Sequence, residues 1–64
     1  MKQVDQQCTR DKLVKALENS QELVRDFKNY SIQIKDDPDV ARAFEEFAVD
    51  EGLHANKLKE LLEK

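Results

Sequence analysis

Two side chains have the types and spacing to do chemistry together: Glu51 and His54, in the run Asp50-Glu51-Gly52-Leu53-His54-Ala55. Residues three apart on a helix point the same way, so one carboxylate oxygen and one imidazole nitrogen can converge on a single ion. Mixed oxygen and nitrogen donors suit iron, manganese or zinc rather than copper(I) or calcium. The competing reading of this spacing is a hydrogen-bonded Glu–His pair on a helix surface.

The element that carries them places them on an apolar stripe. Val40, Phe44, Phe47, Glu51, His54, Leu58 and Leu61 follow in steps of four and three, the period of a helix packed against other helices. At about 100° per residue, the apolar side chains fill an arc of roughly ±80° around Glu51, and His54 lies about 60° away, still inside it. A carboxylate at the centre of such an arc needs a partner: a cation, a metal, or donors from a facing helix. Beside the stripe runs a heptad-spaced row, Ala41, Ala48, Ala55 and Leu62, whose small residues admit a neighbouring helix closely. The pattern stays in register on both sides of Gly52, so the helix is expected to continue through it at a cost of about 1 kcal/mol relative to Ala.

Asp37-Pro38 opens this helix: Asp is a good N-cap, and Pro suits the first helical position, where a missing N–H costs nothing. The expected organisation is a frayed segment over residues 1–8, a first helix over 9–35, a turn over 35–37 and a second helix over 38–63, with residues 9–64 forming one helical hairpin. In the first helix, Leu13, Leu17, Ser20, Val24, Phe27, Ser31 and Ile34 form the matching seam, widened by Ala16, Leu23 and Tyr30. With the turn near residue 36, Glu51 and His54 face residues 19–22, where Ser20 and Gln21 interrupt the apolar stripe. A polar layer then crosses the middle of the helix pair.

Helices joined by so few residues fold back as an antiparallel hairpin. The chain has 64 residues, 39 % charged and 39 % apolar, with one Gly, one Pro and no Trp, which fits an amphipathic all-α protein. One hairpin of this size cannot bury enough apolar surface to hold itself together. Both stripes are broad enough for two neighbours, so a homodimer forming a four-helix bundle is expected, with a larger homo-oligomer as an extension. Val49 and Leu53 project from the opposite face of the second helix, although scattered apolar residues are normal on a surface. No run is apolar enough for a membrane span or signal peptide. The lone Cys8 excludes an internal disulfide and a four-thiolate site, and points to the reducing cytoplasm. A net charge of −3, with basic residues interleaved among acids, argues against nucleic acid as partner.

The run DPDVARAFEEFAVDEGLHANKLKELL, residues 37–62, resembles the second helix of a rubrerythrin-type, ferritin-like half-bundle. The resemblance rests on the Asp-Pro start, Phe44, Phe47-Ala48, Asp50-Glu51, His54-Ala55 and the Leu58/Leu61 tail; LVKALENSQELVRDFKNYSIQI fits the partner helix less specifically. Encapsulated ferritins of this superfamily build the same bundle from two-helix subunits. The resemblance implies two irons between the helices, ferroxidase or peroxidase chemistry, and a partner shell or electron-donor protein. It makes Glu51 a bridging or chelating carboxylate and His54 the imidazole ligand. It also asks for a Glu on the first helix, about six residues before the aromatic at Phe27. That position falls on Gln21, with Glu22 adjacent but turned from the seam and Glu18 on the flank. A neutral amide is a poorer iron ligand than a carboxylate.

Two functions therefore compete. One is a ferritin-like metal-binding dimer, an iron-dependent oxidoreductase if active. The other is a degenerate, metal-free helical interaction module in which Glu51, His54 and Gln21 form a hydrogen-bonded layer that fixes register.

Overall fold

The computed structural model describes residues 5–64, with side chains from Cys8 onward. The described residues form two helices, α1 (Asp5–Gln33) and α2 (Pro38–Glu63), packed against each other, with no strand among them. The all-helical hairpin expected from the two stripes is present. The N-terminal segment expected over residues 1–8 lies partly outside the described residues, and Asp5–Cys8 belong to α1. At its other end α1 closes at Gln33, two residues before the expected limit. Ile34 still donates its N–H to the Tyr30 carbonyl at 3.0 Å, after which the chain turns.

The turn is held by the predicted cap. Asp37 has extended backbone (φ −147°, ψ 91°), and its side chain accepts from the Val40 N–H at 3.2 Å. Its carbonyl accepts from Ala41 N–H at 3.0 Å, the first bond of α2. Pro38 follows at the start of the helix, its fixed φ already helical. Removing the side-chain acceptor by Asp37→Ala is expected to cost about 1 kcal/mol, read as a lowered thermal midpoint in circular dichroism.

Near the turn the two helices are joined by aromatic rings. Phe44 of α2 lies 5.7 Å from Phe27 and 5.3 Å from Tyr30 of α1, and 5.7 Å from Phe47, which itself stands 5.8 Å from Phe27. The angles are tilted or edge-on, the arrangements that ring quadrupoles favour. Farther along, the small-residue row does the packing: Ala48 and Ala55 are the buried apolar residues, with Ser20 of α1 beside them. α2 passes through Gly52 without a break or a positive φ. A Cβ added there meets nothing within 4 Å. Gly52→Ala is expected to raise stability by about 1 kcal/mol in chemical denaturation; a loss would show that something covers this position.

The hairpin measures 48 × 28 × 13 Å, a slab one helix thick, so side chains that do not face the sister helix meet solvent. None of the described side chains falls below 2 % exposure. Ile32, Val49 and Leu53 are exposed outside the seam, while the other exposed large apolar residues fall into two rows. Val40, Phe47 and Leu61 of α2 are 41 %, 47 % and 38 % exposed, and together with His54 they form a heptad-spaced row beside the alanine row. Leu23 and Tyr30 of α1, also seven apart, are 38 % and 43 % exposed. The Tyr30–Phe44 and Phe27–Phe47 ring contacts tie the two rows into one face. The chain exposes 5121 Å², whereas a compact monomer of 7.5 kDa exposes about 4,200 Å². The excess of about 900 Å² reflects the flat two-helix shape. No described helix is long and apolar enough to cross a membrane.

Candidate functional site

α2 carries the site at mid-length: thirteen of its residues precede Glu51 and twelve follow it within Pro38–Glu63. The alanine row turns toward α1, which brings the adjacent Glu51 to the edge of the helix–helix seam. There its side chain is 19 % exposed. One oxygen, Oε2, accepts a hydrogen bond of 2.7 Å from Ser20 Oγ, across the two helices. The other, Oε1, lies 3.4 Å from His54 Nδ1, one turn along α2. The imidazole is 66 % exposed and stands in the open apolar row between Phe47 and Leu61.

Ser20 is 5 % exposed, the buried polar group of the described residues, and the acceptor for its hydroxyl is Glu51. A serine in a helix interior often turns its hydroxyl back to a carbonyl of its own helix, as Ser31 does to the Lys28 carbonyl at 2.7 Å. Ser20 instead spans to α2, so the polar layer expected across the hairpin exists and consists of Ser20, Glu51 and His54.

The structure brings Glu51 and His54 together and leaves the first-helix candidates apart from them. Gln21, Glu18 and Glu22 are all exposed, and none has a hydrogen bond or ion pair with Glu51 or His54 among the described residues. On α1, Gln21 lies about 100° around the helix from Ser20, while Glu18 and Glu22 lie about 160° from it on either side. The α1 residue that meets Glu51 is Ser20. Its signal in the sequence was its place in the seam, between Leu17 and Val24 at helical spacing. Counting back from Phe27 instead selects its neighbour.

Among the described residues of one chain, no three of His, Cys, Asp and Glu gather closely enough to hold a metal. One hairpin thus offers two donors here, one oxygen and one nitrogen, fewer than a metal ion's shell needs. Its donor types fit a borderline divalent cation; its donor number requires a second contributor. Two irons in the ferritin-like manner also need carboxylates from the first helix, and Glu18 and Glu22 face away. Comparisons with protein-family profiles, with characterised proteins and with solved structures find no match to this chain.

Proposed function

We propose that the hairpin pairs with a second copy of itself through the face of Leu23, Tyr30, Val40, Phe47 and Leu61, forming a ferritin-like four-helix bundle that binds a metal between the Glu51–His54 pairs of both chains. The observation that carries the reading is the place of the Glu51–His54 pair. A half-site of one carboxylate and one imidazole, 3.4 Å apart, lies at mid-length on an apolar face that one chain leaves uncovered.

In this bundle Glu51 Oε1 and the His54 imidazole hold the cation, and Ser20 orients Glu51. The aromatic cluster and the leucines of the paired face exclude water from the polar layer, which strengthens electrostatic contacts there. Iron bound in this way supplies one-electron chemistry toward oxygen or peroxide, the ferroxidase or peroxidase class that the ferritin-like resemblance implies. Manganese and zinc fit the same donors. The chain would act with a separate electron donor or shell partner.

The second reading, a metal-free dimeric helical module, is favoured by one observation: Glu51 already has a donor in Ser20. One experiment separates the two. Purified protein is incubated anaerobically with ferrous iron, desalted and assayed for metal, with sedimentation on the same sample. A dimer that retains iron supports the first reading. A dimer without iron supports the second, and a stable folded monomer overturns both.

A further inference from the structure

We propose that the dimer holds one divalent cation on its two-fold axis, four-coordinate, with two imidazole nitrogens and two carboxylate oxygens, and with Ser20 as the positioning residue for each Glu51. The inference rests on the proposed pairing and departs from the two-iron centre that the resemblance implies. Three observations carry it.

The first is symmetry. Glu51 lies at the middle of α2, and His54 one turn on stands in the open apolar row that the proposed pairing covers. A two-fold axis along the bundle brings any level of one hairpin against the same level of its copy, so in that arrangement the two Glu51–His54 pairs share one level.

The second is donor count and charge. Glu51 Oε2 is engaged by the Ser20 hydroxyl, which leaves Oε1 beside His54. Each chain therefore gives one oxygen and one nitrogen. Two carboxylates neutralise one divalent cation; two cations would leave two positive charges uncompensated in a water-poor layer, where repulsion is strong. The α1 carboxylates that would correct this, Glu18 and Glu22, are exposed on the far side of the helix.

The third is the bite of the half-site. Oε1 and Nδ1 are 3.4 Å apart, close enough for both to reach one cation. A four-coordinate nitrogen–oxygen set suits zinc-like cations. Ser20 preserves the spacing: its bond fixes the Glu51 rotamer and keeps Oε2 from chelating in a second mode, as outer-shell donors do for metal ligands.

The full-length protein is titrated with Zn2+ against a chromophoric chelator, and with Co2+ while recording the visible spectrum. Uptake is expected to saturate at one ion per two chains, with the intense bands of four-coordinate Co2+. Ser20→Ala is expected to weaken Zn2+ binding about 10- to 100-fold and to alter the Co2+ spectrum while sedimentation still shows the dimer. Saturation at one ion per chain, or the pale spectrum of six-coordinate Co2+, overturns the single-cation site. Unchanged affinity and spectrum in Ser20→Ala overturns the positioning role. A dimer that retains neither ion removes the metal reading itself, an outcome distinct from a wrong stoichiometry.

Discussion

Phe44→Ala is expected to remove most of the helical signal of this protein at room temperature. Phe44 is the one ring in contact with three others, Phe27 and Tyr30 across the hairpin and Phe47 along its own helix, at 5.3 to 5.7 Å. Truncating a fully buried Phe to Ala costs about 3–5 kcal/mol, its ring contacts included; Phe44 is half-buried, which places the expected cost at about 2–3 kcal/mol. Against this stands the total stability of a chain of this length, about 3–10 kcal/mol at the usual 0.05–0.15 kcal/mol per residue. The most deeply buried residues of the rest of the seam, Ala48, Ala55 and Ser20, are small. The measurement is far-UV circular dichroism with urea titration. Ile32→Ala is the control: at 67 % exposure, it should change stability by no more than about 0.5 kcal/mol. If Phe44→Ala shifts the unfolding free energy by less than about 1 kcal/mol, the aromatic cluster is not the anchor of the fold.

The parts of this architecture that were legible in the sequence are those set by local chemistry. Asp37-Pro38 places the start of α2 to the residue, because a cap oxygen and a missing N–H have only one good location. The spacing of Ala41, Ala48 and Ala55 marks the side where the sister helix comes close, and two of the three are buried. The polar layer was also visible, since Glu51 and Ser20 both interrupt apolar stripes. Helix ends without a cap were less legible: α1 already includes Asp5–Cys8 and stops at Gln33, while the apolar period, the only guide there, is silent over residues 5–8. The identity of the α1 residue at the site depended on a count of one. On a helix a one-residue step turns the side chain by about 100°, which separates buried Ser20 from exposed Gln21. Periodicity also could not tell which edge of a broad stripe the sister helix covers. Only the fold shows that α1 takes the alanine side and leaves Val40, Phe47, His54 and Leu61 open.

That open edge gives Glu51→Leu its expected outcome: no retained Fe2+ or Zn2+ after desalting, together with a higher unfolding midpoint. Loss of metal follows from donor count, because each chain would keep only its imidazole, and two nitrogens without carboxylates neither complete a shell nor balance the charge. The gain in stability follows from the surroundings. Glu51 lies on the arc of Phe44, Phe47 and Leu58, and its side chain is 19 % exposed in the single chain. Replacing a desolvated polar pair by a well-packed apolar residue is often neutral or stabilising by about 1–4 kcal/mol; the half-covered position places the expectation at about 1 kcal/mol. Ser20 loses its acceptor, but its hydroxyl can turn to the carbonyl four residues back, as serines in helices do. His54→Ala should give an equal loss of metal without the gain in midpoint, since it puts no apolar side chain in place of the ring that the proposed pairing covers. The metal-free module predicts the reverse for Glu51→Leu. There the Ser20–Glu51 bond sets the register of the bundle, and its removal should lower the midpoint and broaden the dimer in sedimentation. A site kept at a cost in stability is the signature of a group retained for binding, so the sign of this one change decides between a metal ligand and a structural lock.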